Sequence, residues 1–311
     1  MNILNKKVYI IGAGKVGSSL AFELKDKGYS IDFITDRNSD RLKRISSSVH
    51  PISYSDKTDM NFISGSEIIF ICVQDRYIKD IIREISEFKI DYSDKYFVLT
   101  SGSESSLLFH GDSGVFSKEK TGSMHPVQTF NKLSFNNQHL LENIYFGIEG
   151  GNESVDIMKQ IIASLESQFI LIPPEKKHLY HSACVISSNF LVTLLNISSE
   201  VMGNLGIDKA KTFEIFKPII ENTLKNIDSD GLINSLTGPF DRNDKETISN
   251  HLKIINTELP SLIPFYTLLG METVKVAFKK ESLNMKNVID LLDLMNEYIT
   301  KETDITNQTN N

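Results

Sequence analysis

The chain has 311 residues and a formal net charge of −7, with 40% apolar and 23% charged residues. Its length allows two domains and a large core, and the acidic excess argues against nucleic acid or an anionic membrane as the main partner. Two cysteines, Cys72 and Cys184, are too few for a disulfide framework and are typical of a reducing compartment. No segment reaches the about 18 apolar residues of a membrane span, and the amino-terminal residues lead directly into a strand. We therefore predict a cytoplasmic protein without a membrane span.

Residues 8–37 have the order strand, glycine turn, helix, strand that begins a dinucleotide-binding unit. The apolar run Val8–Ile11 predicts a buried parallel strand, and Gly12, Gly14 and Gly17 follow it as G-x-G-x-x-G. These glycines allow a tight turn, a close approach of the backbone to a pyrophosphate and a close contact between helix and sheet. The free N–H groups of the helix then face the anion. The alternative is a glycine-rich turn in an unrelated α/β protein.

The end of the second strand indicates which dinucleotide binds. An acidic residue at this position accepts the ribose hydroxyls of NAD, whereas a nearby arginine favours the 2′-phosphate of NADP. This chain has both, because Arg37 follows Asp36 directly and Arg41 and Lys43 come soon after. Since basic residues outnumber acidic ones at these positions, we predict NADP(H), with NAD as the second choice. The alternative is that Asp36 caps the next helix and Arg37 is a solvated surface charge.

Strand and helix patterns alternate up to residue 172, with further strands predicted at 67–73, 96–99, 121–125, 144–148 and 169–172. This alternation predicts an N-terminal doubly wound α/β domain. Pro173 and Pro174 then interrupt the chain, and the remaining pattern is helical. We therefore predict a Rossmann domain over 1–172 and an all-α domain over 173–311. The helix candidates are His178–Met202, Ala210–Ile227, Lys245–Glu258, Ser261–Lys279 and Met285–Lys301.

Polar residues follow the ends of the predicted strands, where ligands of an open parallel sheet bind. Gln74 follows Val73, and Ser101 follows the strand that ends at Leu99. We predict that the backbone at Ser101 lies close to the nicotinamide of the cofactor, with a plain turn as the alternative. The residues assigned to cofactor binding are Gly12, Gly14, Lys15, Val16, Gly17, Arg37, Val73, Gln74 and Ser101.

The segment SMHPVQTF places His125, Pro126 and Gln128 at another strand end. The proline and a preceding glycine restrict the backbone there, so these polar residues are held in a fixed conformation. We predict that His125 and Gln128 contact the substrate. The alternative is a structural histidine that hydrogen-bonds a neighbouring loop.

The first helix of the second half is largely apolar yet carries His181, Ser188 and Asn189. Polar groups on a buried helix need partners. Asn189 lies about 12 Å beyond His181 along a helix axis, so a small acid lying along the helix could reach both. The alternative is a set of satisfied core polar residues. His178 and His181 lack a third ligand at suitable spacing, and we predict no metal.

The segment LTGPFDRND places Arg242 and Asp244 after a tight turn and before a helix. Arg242 has the fork geometry that binds a carboxylate, so we assign both residues to the substrate. The alternative is that Asp244 caps the helix and Arg242 makes a surface pair.

Five motifs, in order and spacing, resemble the Rossmann-like proteins with a DUF2520 C-terminal domain. They are the glycine turn ending in Asp36-Arg37, SGS at Ser101–Ser103, HPVQTF at His125–Phe130, YHSACVISSNF at Tyr180–Phe190 and GPFDRND at Gly238–Asp244. That family is similar to the 6-phosphogluconate-dehydrogenase-like reductases, which include pyrroline-5-carboxylate reductase and ketopantoate reductase. The resemblance implies an alternative type of ketopantoate reductase, in which His181 and Asn189 stand where the ordinary enzyme has a lysine and an asparagine.

The sequence therefore predicts an NADPH-dependent reductase of a small 2-oxo acid, with 2-dehydropantoate to pantoate as the best single reaction. His181 is the predicted general acid, because histidine can be partly protonated near neutral pH, and Asn189 positions the substrate. A cyclic-imine reductase and a non-catalytic dinucleotide-binding protein are the alternatives. A homodimer through the helical domain is the expected assembly.

Overall fold

The computed structural model describes residues 3–111, 114–131 and 139–309, and side chains of the last helix as far as residue 299. It divides into two compact units, Met1–Leu191 and Val192–Asn311.

The first unit contains an eight-stranded sheet in its described residues. The strands are β1 (Lys7–Ile11), β2 (Ser30–Thr35), β3 (Ser53–Ser55), β4 (Ile68–Ile71), β5 (Tyr96–Leu99), β6 (Thr121–Pro126), β7 (Tyr145–Gly150) and β8 (Gln168–Leu171). Their spatial order is β3-β2-β1-β4-β5-β6-β7-β8, and only the pair β6–β7 is antiparallel. The order reverses direction between β1 and β4, which is the switch point where such sheets bind ligands. The predicted doubly wound fold is confirmed.

Helices cover both faces of this sheet, as its central strands require. They are α1 (Lys15–Asp26), α2 (Ser39–Val49), α3 (Met60–Gly65), α4 (Asp75–Ser86) and α5 (Asn152–Ser164). Successive residues of β1 point into different cores: Val8 and Ile10 pack with α1, α2 and α5, whereas Tyr9 and Ile11 pack with α3 and α4. Because both faces are buried, the strand reads as a continuous apolar run.

The rest of the described chain is helical, which confirms the predicted all-α C-terminal region. Its helices are α6 (Lys177–Asn204), α7 (Lys209–Asn234), α8 (Lys245–Glu258), α9 (Ile263–Lys279) and α10 (Met285–Thr309). A small core lies between α8, α9 and α10, with Leu252, Val274 and Leu291 fully buried. The division between the units lies within α6, beyond the predicted boundary at residues 172–173, and the first turn of α6 bonds to Ser101, which follows β5, and to Ser123 of β6.

Helices α6 and α7 expose most of their apolar side chains in the single chain. Lys177 is the buried residue of α6, and Thr212 is that of α7. Phe190, Val192 and Ile219 are each more than half exposed. The segment Pro174–Asn204 has the length and composition of a membrane-crossing helix, but one such helix is a weak indication, and its first turn is fixed to a sheet.

Candidate active site

A cavity of about 820 Å³ opens at the carboxyl ends of the central strands of the first unit. It is bounded by the turn after β1, the end of β2, the turns after β4 and β5, the end of β6 and the first turns of α6. The predicted site residues that line it are Gly12, Gly14, Lys15, Val16, Arg37, Val73, Gln74, Ser101, His125, Gln128 and His181. The cavity therefore joins the predicted cofactor residues to His125, predicted to contact the substrate, and to His181, the predicted general acid.

Each glycine of the first turn has its own physical role. Gly12 has φ = +99°, and a side chain there would lie 2.8 Å from the carbonyl oxygen of Cys72. A Cβ on Gly17 would lie 1.9 Å from the carbonyl oxygen of Gly12, so only glycine lets α1 lie this close to the turn. Gly14 has no heavy atom within 4 Å of a built Cβ, and it begins α1 without a side-chain cap. The first N–H groups of α1 therefore face open space, as an anion-binding turn requires.

At the end of β2, Asp36 is used to hold the turn together. Its carboxylate accepts hydrogen bonds from the backbone N–H groups of Ala13 and Asn38, both at 2.8 Å. It also pairs with Arg41 at 3.1 Å. The residue that caps α2 is Asn38, so the predicted alternative of Asp36 as the helix cap is wrong. With its oxygens engaged by the protein, Asp36 is poorly placed to accept ribose hydroxyls.

The cationic side chains at this end of the cavity fit a phosphate on the ribose. Arg37, Arg41 and Lys57 all line the cavity. The Nε of Arg41 is buried and has no hydrogen-bond partner among the described residues, which is the state expected of a donor that waits for an anion. Arg37 stacks over the ring of Tyr77 at 5.3 Å. The open glycine turn and this orphan donor together fit NADP(H).

At the other end of the cavity two histidines come together. His125 ends β6 and His181 lies in the second turn of α6, and their ring centroids are 5.8 Å apart at 82°. They meet over Gly102, where a Cβ would lie 2.4 Å from Nδ1 of His181 and 2.8 Å from Nε2 of His125. Only glycine fits at residue 102, because the two imidazole rings already occupy the space that a side chain would need.

His125 is held in the neutral form. Burial lowers its pKa to about 4, and the neighbouring cation of Lys177 and the ring of His181 act in the same direction. Its Nδ1 lies 2.9 Å from the hydroxyl of Tyr180. Near neutral pH this imidazole is uncharged, so it interacts with a ligand by hydrogen bonding and not as a cation.

Lys177 is a functional candidate that the sequence reasoning missed. It is 2% exposed, and its Nζ donates to the carbonyl oxygen of Ser101 at 2.6 Å and to the hydroxyl of Ser123. Burial lowers its pKa to about 8, although nearby acidic groups oppose the change. The available signal was the spacing of Lys177, Tyr180 and His181, which places all three on one face of a helix. The helix predicted from the sequence begins at His178, so Lys177 lies outside it.

The remaining predicted residues lie outside the cavity as the described residues form it. Gly17 supports the turn from behind, and Ser188 and Asn189 lie further along α6 and do not line the cavity. Arg242 and Asp244 belong to the second unit. There Asp244 caps α8 by accepting hydrogen bonds from the backbone and hydroxyl of Thr247, and Arg242 is exposed. The substrate roles of these four polar residues stay predictions.

Comparison with known proteins agrees with this geometry. Residues 7–98 match the family model described as NADP oxidoreductase, coenzyme F420-dependent, and residues 144–273 match DUF2520, a domain of unknown function. A sequence search among curated proteins finds no match.

Solved structures share the fold over nearly the whole chain. A Thermotoga maritima protein is 25% identical, with a TM-score of 0.69, covering 88% of this chain and 99% of its own. A Bacteroides fragilis protein described as an NADP oxidoreductase is 22% identical, also with a TM-score of 0.69, covering 88% and 100%. The pyrroline carboxylate reductase of Plasmodium falciparum, solved with NADP bound, is 11% identical, with a TM-score of 0.57, covering 94% and 100%.

The family match and the cavity thus indicate a Rossmann-type domain of the NADP oxidoreductase class at residues 7–98. Within that class, this chain combines the NADP oxidoreductase domain with a C-terminal DUF2520 domain, as the sequence motifs predicted. The predicted cofactor, NADP(H), agrees with both findings.

Proposed function

We propose that this protein is an NADPH-dependent reductase of a small 2-oxo acid, with 2-dehydropantoate as substrate and pantoate as product. The observation that carries the proposal is the single cavity that joins the glycine turn and Arg41 to His125 and His181. A dinucleotide whose phosphates lie at the turn extends along this cavity toward the histidines, because ligands of this fold cross the carboxyl ends of the strands.

The chemistry needs one hydride and one proton. NADPH, when bound, supplies the hydride. Addition of hydride to a carbonyl carbon leaves negative charge on the oxygen, and a proton donor beside that oxygen lowers the barrier. We assign this role to His181, which lines the cavity and whose Nδ1 is buried and has no hydrogen-bond partner among the described residues.

The charge at this end of the cavity favours an oxo acid over a cyclic imine. An imine is reduced as its iminium cation, which needs no further proton on an oxygen. The buried ammonium of Lys177 lies close enough to lower the pKa of His125. The same positive charge stabilises an anionic substrate and a developing oxyanion.

The proposal is tested with the purified full-length chain and NADPH. We expect 2-dehydropantoate to be reduced with a higher kcat/KM than pyrroline-5-carboxylate or other short 2-oxo acids. The gene should also restore growth without pantothenate to a cell that lacks its own ketopantoate reductase. Binding of NADPH with no oxidation by any oxo acid would contradict the proposal and favour a non-catalytic dinucleotide-binding protein.

We also propose that the protein is a cytoplasmic homodimer. The apolar side chains that α6 and α7 expose, among them Phe190, Val192 and Ile219, need a cover, and a second copy offers the same two helices. Cys72 and Cys184 are both free thiols, which suits a reducing compartment. Light scattering of the pure protein should give twice the mass of the chain, and a monomer would contradict the assembly.

A further inference from the structure

The two ring nitrogens that face each other over Gly102 are close enough to share one ligand atom. A Cβ on Gly102 would lie 2.4 Å from Nδ1 of His181 and 2.8 Å from Nε2 of His125. Because both distances share one end, the separation of the two nitrogens cannot exceed their sum, slightly more than about 5 Å. One oxygen that bonds to both nitrogens needs about 3 Å to each, and this separation is within that reach.

Whether His125 can donate a hydrogen bond to that oxygen from Nε2 depends on the hydrogen bond that its Nδ1 makes. A neutral imidazole has one N–H donor and one acceptor nitrogen. The acceptor or donor role of Nε2, which faces the cavity, is therefore fixed by the bond that Nδ1 makes. Nδ1 lies 2.9 Å from the hydroxyl of Tyr180, whose ring stands edge-on to His125.

The surroundings of Tyr180 indicate the direction of that hydrogen bond. Burial raises the pKa of Tyr180, so the hydroxyl keeps its hydrogen, and its other polar neighbour is the side chain of Cys184. The hydroxyl hydrogen therefore has two candidate acceptors, Nδ1 of His125 and the sulfur of Cys184. An imidazole nitrogen is a far better acceptor than a sulfur atom. The hydroxyl of Tyr180 therefore donates to Nδ1, and the hydrogen of His125 resides on Nε2.

Gly147 makes this placement of Tyr180 possible. A Cβ on Gly147 would lie 2.5 Å from the hydroxyl oxygen of Tyr180, so the phenol occupies the space that any other residue of β7 would fill. Gly147 is the direct partner of His125 in the β6–β7 ladder. The strand that carries His125 and the helix that carries Tyr180 are thus held in a fixed relation by this contact.

We propose that Tyr180 is a positioning residue that keeps the hydrogen of His125 on Nε2, so that His125 and His181 together hold the carbonyl oxygen of the substrate where their rings converge. This inference rests on the proposed reductase function and assigns His125 to the reacting oxygen, whereas the sequence assigned it to the substrate in general. His125 gives a hydrogen bond and keeps its proton, and His181 gives up a proton. As the carbonyl carbon accepts hydride from the dihydronicotinamide, the C=O π bond breaks, and new C–H and O–H bonds form. The products are the 2-hydroxy acid and the oxidised nicotinamide.

The first test reads the tautomer of His125 directly, in the full-length protein saturated with NADPH and without substrate. Nitrogen NMR of histidine-labelled protein should show hydrogen on Nε2 and an unprotonated, hydrogen-bonded Nδ1. Hydrogen on Nδ1 would overturn the proposal. This measurement needs no variant, so it holds even if a substitution at Tyr180 prevents folding.

The second test compares Tyr180→Phe with Tyr145→Phe, a matched control at a half-exposed tyrosine of β7. Tyr180→Phe should change the Nδ1 resonance of His125 and lower kcat by about tenfold or more, with the KM for NADPH unchanged. Tyr145→Phe should change neither. An unchanged spectrum and kcat in Tyr180→Phe would overturn the role of Tyr180.

Failure of this inference can be told apart from failure of the proposed function. A wild-type protein with hydrogen on Nε2 of His125 that reduces no 2-oxo acid would contradict the reductase and support the tautomer. Turnover of a 2-oxo acid by a protein with hydrogen on Nδ1 would support the reductase and overturn the role of Tyr180.

Discussion

The two ends of the cavity are built in different ways. The end where we place the phosphates, the proposed phosphate-binding end, consists of backbone N–H groups and glycines from one continuous segment, with cationic side chains of the next segments beside it. The proposed reacting end consists of side chains from separate elements, with His125 from β6 and Lys177, Tyr180 and His181 from α6. Under this assignment, binding of the dinucleotide depends on the local path of the backbone, whereas the chemistry depends on tertiary contacts between side chains.

The largest effect should follow removal of the proposed proton donor. His181→Ala should lower kcat by about 10²- to 10⁴-fold, the usual contribution of a general acid, while the Kd for NADPH stays close to wild type. Single-turnover kinetics and calorimetry measure the two quantities. His178→Ala, at an exposed histidine three positions earlier on α6, is the control and should keep full activity. Normal turnover in His181→Ala would contradict the role of His181 as the proton donor.

The glycine turn offers a matched pair of substitutions at the other end. Gly17→Ala places a methyl group against the Gly12 carbonyl and should lower the free energy of unfolding by about 1–3 kcal/mol. Gly14→Ala meets no protein atom and should leave stability unchanged while it weakens NADPH binding, because the methyl group occupies the path of the pyrophosphate. Denaturant unfolding and calorimetry distinguish the two results. Equal NADPH affinity in Gly14→Ala and wild type would contradict the placement of the phosphates.

Arg41 should decide the preference for NADPH over NADH. Loss of a charged hydrogen bond to the 2′-phosphate weakens binding by about tenfold or more, so Arg41→Ala should raise the Kd for NADPH and leave that for NADH nearly unchanged. Lys43→Ala, at an exposed residue of the same helix, should change neither. A parallel loss for both cofactors in Arg41→Ala would mean that Arg41 acts through Asp36 on the whole turn.

The difference between the two ends of the cavity also explains how much of the site could be predicted from the sequence. The glycine turn was predictable because strand, turn and helix are adjacent in the chain, and the motif fixes their geometry. His125 and His181 could be nominated singly, but their meeting over Gly102 depends on how α6 approaches the sheet. The short strand β3 has only three residues, too few for a periodic pattern. Lys177 was missed because a lysine in a first helical turn usually points to solvent.

The smallest effect concerns the electrostatic link between Lys177 and His125. Lys177→Met should raise the pKa of His125 from about 4 toward its ordinary value, by about one pH unit. The Ser123 hydroxyl still donates to the Ser101 carbonyl, so the substitution leaves that pair bonded. Histidine NMR titration measures the change, and Lys176→Met, at an exposed lysine, is the control.

The lowered pKa of His125 should also make the free energy of unfolding depend on pH, and it determines the direction of that dependence. Between pH 4 and about 6.5 the unfolded chain binds a proton at His125 that the folded protein does not. Stability therefore falls as the pH decreases through this window, and the fall should be smaller in Lys177→Met than in Lys176→Met. The comparison of two variants cancels the opposite contribution of Glu23, a buried carboxyl whose pKa burial raises to about 7. Identical pH dependence in both variants would contradict the link.

The most direct test of the account follows the hydride itself. The full-length protein is incubated with NADPH that carries deuterium at the transferable position of the nicotinamide and with 2-dehydropantoate, and the product is analysed by mass spectrometry. We predict pantoate with deuterium on the former carbonyl carbon, and an initial rate of its formation about 10²-fold or more lower in His181→Ala. Tight binding of NADPH with no deuterated product from the wild-type protein would contradict it.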